Sequence, residues 1–145
     1  MKASKKVEYF NKKARFDYTI SESLEAGLVL SGHEIKAIRE GRVNLTGSYV
    51  KIMNGEAFWV GGDIAVPEGD RQRTRKLMLH RDQIKRLLGK SAEEGSALIP
   101  LKLYLARGFA KLELGIGKGK KKYDKRESLK KRDQEREIGR GIKNS

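Results

Sequence analysis

Residues 49–60, YVKIMNGEAFWV, constrain the fold more than any other stretch of the chain. Asn54-Gly55 is the dipeptide that tolerates positive φ at both centres of a two-residue turn, and β-branched and aromatic residues flank it. The segment therefore predicts a tight antiparallel hairpin. Residues 99–105, IPLKLYL, alternate, so that Ile99, Leu101, Leu103 and Leu105 point one way and Lys102 and Tyr104 the other. After Arg107-Gly108, Leu112, Leu114 and Ile116 alternate against Lys111 and Glu113, which predicts a second hairpin. Weaker strand signals lie at 15–20 (RFDYTI) and 27–31 (GLVLS). Two helices interrupt the strands. One places Ile35 and Ile38 a turn apart and ends at Gly41; the other puts Ile84, Leu87 and Leu88 on one face between Asp82 and Gly95. Six short strands burying one face, with helices between hairpins, predict a mainly β fold: a small closed or partly open barrel.

The charge is unevenly placed. Residues 115–145 hold twelve Lys/Arg against five Asp/Glu, a net +7, and residues 1–114 hold twenty-one against fourteen, also +7. We place a composition boundary near Gly117, separating a domain at 1–117 from a basic tail at 118–145. The total of +14 points to a polyanionic partner, with nucleic acid first and an anionic membrane surface second. No run of apolar residues reaches the length of a membrane-spanning helix, and MKASKKVEYF lacks the apolar centre of a secretory signal, so a cytoplasmic protein is expected. The absence of cysteine removes disulfides and thiolate metal sites. In the tail, a helix over 124–138 would carry Leu129 and Ile138 on opposite faces and no apolar stripe. Such a segment is expected to be disordered alone and helical only against a partner.

No catalytic constellation emerges. GKS at 89–91 lacks the glycine of a phosphate-binding loop at position 84, where Ile84 stands, and GIGKG at 115–119 lacks the dinucleotide spacing. Those glycines read as the end of a strand and the start of a linker. His33 and His80 sit in no metal spacing, and neither a cofactor nor a metal is expected. Basic loops and strand-face aromatics such as Tyr18, Tyr49 and Tyr104 suit RNA or DNA binding, although burial is the commoner fate of any one of them. Lys118, Lys120, Lys121 and Lys122 run directly into Tyr123, a ring that offers a flat face to an unstacked base. Composition does not choose between that reading and a plain solvated tail.

Three stretches resemble one family closely. They are EAGLVLSGHEIKAIREGRVNLTGSYV (25–50), RTRKLMLHRDQI (73–84) and GKGKKKYDKRESLKKRD (117–133). By these motifs the chain is identified as a member of the SsrA-binding protein (small protein B) family, the partners of transfer-messenger RNA. The resemblance implies a six-stranded barrel of the oligonucleotide-binding (OB) type that grips the tRNA-like domain of that RNA. It implies delivery of the aminoacylated RNA, and with it elongation factor Tu, to a stalled ribosome, where the product is tagged for proteolysis. It also implies a tail that enters the vacant mRNA channel against small-subunit rRNA and folds there. Matched to the family's pattern, Asn11, Arg15, Tyr18, Glu25, Tyr49, Lys76 and His80 would contact the tRNA-like domain. Tyr123 would stack at the decoding centre, beside Asp124, Lys125 and Arg126. Three departures stand out: Phe16 where histidine is frequent, a shortened 61–72 loop, and Gly139 and Gly141 near the end. The expected molecule is a monomeric adaptor, not an enzyme. The competing expectations are a structural ribosomal protein, a general RNA chaperone, or an enzyme of RNA metabolism.

Overall fold

The computed structural model describes residues 7–120. In chain order the elements are β1 (Val7–Phe10), α1 (Lys12–Asp17), β2 (Tyr18–Leu28), α2 (Gly32–Arg39), β3 (Val43–Asn44), β4 (Tyr49–Met53), β5 (Glu56–Val60), β6 (Asp63–Ile64), β7 (Arg75–Met78), α3 (Arg81–Ser91), β8 (Ser96–Ala106) and β9 (Phe109–Gly119). The fold is mainly β, as expected, but seven strands rather than six form the main antiparallel sheet, in the order β1-β8-β9-β2-β7-β5-β4, and β3 and β6 pair separately.

The hairpins form where turn chemistry placed them. Asn54 and Gly55 take φ of 51° and 74° between β4 and β5, and Arg107 and Gly108 take 50° and 80° between β8 and β9. Elsewhere the expectations need correction. Residues 15–17 close α1 instead of opening a strand, because Asn11 caps that helix by accepting from the Ala14 N–H. What remains of the signals at 15–20 and 27–31, residues 18–20 and 27–28, belongs to one long strand, β2, and Ser31 caps α2 instead. Within the motif at 73–84, residues 75–78 form strand β7, pairing with both β5 and β2, before α3 begins at Arg81. Gly115 and Gly117 lie inside β9, which continues two residues past the boundary drawn at 117. A Cβ at Gly115 would stand 2.7 Å from Leu101 Cδ1, and one at Gly117 3.0 Å from Tyr18 Cβ. Their role is close approach, not strand termination.

Two bulges explain a further correction. The β8–β9 register shifts between Pro100 and Lys102, and the β2–β9 register shifts between Ile20 and Glu22. An extra residue reverses the side-chain phase of a strand. Ile99 and Leu101 therefore leave the face of Leu103 and Leu105 and join Ala14 of α1 in a small second cluster, with Tyr18 and Ile20 packed on it. Leu103, Leu105, Leu112, Leu114, Trp59 and Leu77 fill the main core.

The ladder does not close. β1 pairs with β8 only from Lys102 to Leu105, and β4, at the opposite end of the order, has β5 as its one ladder partner. The sheet curls until β4 lies beside the first half of β8 with no ladder between them among the described residues. This seam is where the candidate site forms.

Candidate nucleic-acid interface

Across the seam runs a groove of about 540 Å³. Asn11, Lys13 and Tyr18 line it from one side, Ser48, Tyr49 and Lys51 from another, and Ser96 to Ile99 form its β8 wall. The sequence expectation named three of these residues, Asn11, Tyr18 and Tyr49, which lie 38 positions apart at the extremes and meet only because the sheet curls. Their roles differ. Asn11 is buried, and its amide donates to the Pro100 carbonyl at 2.9 Å and the Leu45 carbonyl at 3.4 Å. It shapes the groove by tying α1 to β8. Tyr18 is half-buried on the second cluster, and Tyr49 is 46% exposed at the start of β4.

The remaining candidates stand elsewhere. Arg15 is exposed on the last turn of α1. Lys76 pairs with Glu56 at 3.1 Å across the exposed face of β7 and β5, beside a shallower groove that includes Met78 and Arg81. His80 is the N-cap residue of α3, where its backbone N–H donates to Gln83 Oε1 at 2.9 Å. Lys118 is an exposed residue of β9, and the Lys120 N–H donates to the Asp17 carbonyl at 2.9 Å. Lys121, Lys122, Tyr123, Asp124, Lys125 and Arg126 lie outside the described residues. Among the described residues no cluster of His, Cys, Asp or Glu could hold a metal ion, and no helix is long and apolar enough to cross a membrane.

Glu25 sits on the outer sheet face and accepts from the Tyr104 hydroxyl at 2.7 Å. Lys102 lies between Glu8 and Glu113, at 3.7 and 3.6 Å, and over the Tyr104 ring at 5.2 Å. Burial raises the Tyr104 pKa, and the hydrogen bond to Glu25 with the charges of Glu25, Glu113 and Glu8 raises it further, to about 12. A folded value above the ordinary 10.0 means that the bond's contribution is complete below pH 10 and lost as pH rises toward 12. Tyr104→Phe is expected to cost about 1 kcal/mol at pH 7, as for a hydrogen bond whose acceptor can still reach water. The difference from wild type should shrink in urea titrations between pH 10 and 12. A constant difference would place Tyr104's contribution in packing alone.

Beneath the basic segment 71–76 lies a polar network that the sequence reading missed. Arg75 is fully buried on β7 and donates to Glu34 at 2.5 Å, to the Gly62 carbonyl at 2.7 Å and to the Arg71 carbonyl at 2.9 Å. Its guanidinium stacks 5.3 Å from the Trp59 ring centroid. Glu34 also accepts from Arg73 and from the Ser31 N–H, closing a capping box at the start of α2. Burial pushes the Glu34 carboxyl up, but hydrogen bonds from Arg73, Ser31 and Arg75 and the Arg75 charge outweigh it and hold the pKa at about 2. Asp63 in turn grips Arg71 with two bonds, at 3.1 and 3.0 Å. The segment between β6 and β7 is thus fastened from below. The signal was present: Arg75 shares the strand phase of Leu77, the buried phase of β7.

An open, curled antiparallel sheet with an aromatic groove and lysines at its mouth defines a polyanion-binding class of protein. The chain belongs to the SmpB protein family, whose model matches residues 9–144. It is 56% identical to an SsrA-binding protein of Bacillus pumilus (strain SAFR-032) over 148 aligned positions, covering 98% of this chain and 95% of the relative. It is 53% identical to an SsrA-binding protein of Bacillus subtilis (strain 168), covering 99% and 96%. A similar solved chain, from the structure described as "tmRNA-SmpB: a journey to the center of the bacterial ribosome", superposes with a TM-score of 0.69 at 40% identity, covering 85% of this chain and 94% of that one.

Proposed function

We propose that this chain is the protein partner of transfer-messenger RNA in trans-translation, binding its tRNA-like domain and bringing it to stalled ribosomes. The observation that carries this reading is likeness at 56% identity along nearly the whole of an SsrA-binding protein, with the family match spanning groove and tail alike. The curled sheet serves as an OB-type RNA-binding surface, through Arg15, Tyr18, Tyr49, Lys76 and His80, with Asn11 and Glu25 acting through the contacts that shape that surface. The tail beyond Lys120, through Arg126, occupies the mRNA channel and decoding centre of the small subunit, with Tyr123 stacking there and Lys118 and Lys120 at its root beside β9. The protein works as a cytoplasmic monomer, meets elongation factor Tu only through the aminoacylated RNA, and catalyses no reaction itself.

The test compares the full chain with a truncation at Lys120, which keeps the whole of β9 and the Lys120–Asp17 bond. Both are titrated with transfer-messenger RNA and with bulk tRNA at several salt concentrations. Both should prefer transfer-messenger RNA, and the truncation should show only a shallower salt dependence, because it has lost tail lysines. Peptide tagging on stalled ribosomes should fail for the truncation and for Tyr123→Ala. Loss of the preference with the tail, or none in the full chain, would return the protein to the class of general RNA chaperones.

A further inference from the structure

We propose that Met78 is a reversible oxidation site: peroxide converts its thioether to the sulfoxide, and that change weakens RNA binding at the face around it. The inference rests on the RNA-binding reading and adds a chemical control to it. Composition narrows the target first. The chain has no cysteine, so no thiol competes for an oxidant, and it has three methionines. Met1 lies outside the described residues. Met53 is 38% exposed and lines neither groove, whereas Met78 is 56% exposed and lines the groove beside α3. The single tryptophan, Trp59, is fully buried.

Packing keeps the thioether at the surface. Met78 pairs with Gly27 across β7 and β2, and a Cβ at Gly27 would stand 2.6 Å from Met78 Cε. The methionine therefore lies over bare glycine backbone, in space that a side chain at 27 would contest. Lys76 stands on the same face of β7, Lys111 of β9 pairs with Gly27 from its other side, and Arg81 opens α3 in the same groove. An apolar patch among three cations suits a ribose or base held between phosphates.

The chemistry needs only the oxidant. A sulfur lone pair attacks one peroxide oxygen, and the S–O bond forms as the O–O bond breaks. The departing hydroxide takes the proton of the transferred oxygen and leaves as water. Sulfur loses two electrons and the peroxide gains them. The product is a polar, chiral side chain in place of an apolar one. Its oxygen accepts hydrogen bonds, and Lys76 and Arg81 are donors lining the same groove. Oxidation thus removes the apolar contact and draws cations away from phosphate. A methionine sulfoxide reductase reverses the step, returning the oxygen as water while two thiols become a disulfide.

The experiment uses the full chain as wild type, Met78→Leu and Met53→Leu, each before and after mild hydrogen peroxide. Peptide mass mapping should find the first added oxygen on Met78, with Met53 slower. Trp59 emission should stay unchanged, since the event is at the surface. Treatment should weaken binding of transfer-messenger RNA about fivefold in wild type and in Met53→Leu, the share of an apolar contact made by a side chain already half covered. In Met78→Leu, treated and untreated protein should bind alike. Methionine sulfoxide reductases, one for each sulfoxide epimer, should restore the wild-type affinity. Oxidation of Met53 before Met78, unaltered affinity with Met78 oxidised, or the same loss in Met78→Leu would each overturn the site. Untreated protein reports on the adaptor reading separately. If it prefers transfer-messenger RNA to bulk tRNA while treatment changes nothing, that reading stands and the oxidation site falls.

Discussion

Replacing Arg75 with alanine is expected to destabilise the fold by about 3–5 kcal/mol, the range for removing one partner of a buried ion pair. The substitution takes away donors to Glu34, to the Gly62 carbonyl and to the Arg71 carbonyl, and it strips the Trp59 ring of its cation. Glu34, 3% exposed, then keeps only Arg73 and the Ser31 N–H against the cost of burial. Its carboxyl should protonate at higher pH than in wild type. In wild type the folded pKa of about 2 lies below the ordinary 4.5, so the network's contribution is present above pH 4.5 and drains away as pH falls toward 2. In Arg75→Ala most of that contribution is already absent at neutral pH, and acid unfolding should begin earlier. The double variant Glu34→Leu/Arg75→Met should recover part of the loss, since an apolar pair leaves no buried charge, but not all of it, since two carbonyls stay unpaired. Urea and acid titrations followed by Trp59 emission measure each of these. A loss under about 1 kcal/mol in Arg75→Ala would mean that water replaces the guanidinium and that the network is not closed in solution.

Gly62→Ala is expected to cost about 3 kcal/mol, the upper end for overpacking a filled core. A Cβ at this position would overlap the Trp59 indole at Cζ2 and Cε2. The ring cannot swing away at low cost: Trp59 is fully buried, bonded to Ser48 and stacked against Arg75. The backbone of residue 62 cannot retreat freely either, because its carbonyl accepts from Arg75. Gly89 supplies the contrast. It lies in α3, where an added methyl would meet nothing within 4 Å, so Gly89→Ala should stabilise by up to about 1 kcal/mol through helix propensity. Thermal melts of the two variants should therefore shift in opposite directions. Equal shifts would show that the Trp59 pocket yields more readily than its contacts imply.

Local chemistry was legible in the chain itself. Asn54-Gly55 favours two positive φ angles in a row, Arg107-Gly108 marks the break between two alternating runs, and a hairpin forms around each. The apolar spacing of Ile35 with Ile38 and of Ile84 with Leu87 placed α2 and α3. The ordered motifs at 25–50, 73–84 and 117–133 pointed to the family that the full-length comparison shows. In each case the deciding interactions reach over a few residues, so the pattern carries its own cause.

What only the tertiary structure decided depends on distant partners. β1 exists because Val7 to Phe10 find Leu105 to Lys102 nearly a hundred residues away, and four residues with no turn signal cannot announce that pairing. The bulges at Pro100/Lys102 and Ile20/Glu22 reverse the inward phase of two strands, and an uninterrupted alternation such as IPLKLYL gives no warning of it. Arg75 is a buried cation in a basic run, and its interior position follows from Glu34 and Trp59, which are remote in sequence. The seam groove follows from all of these together. Curling brings β4 beside β8, and only then do Tyr18, Tyr49 and Ser96 line one site. Turns and helical faces are short-range properties of a sequence; a groove between unpaired strands is a property of how far a twisted sheet falls short of closing.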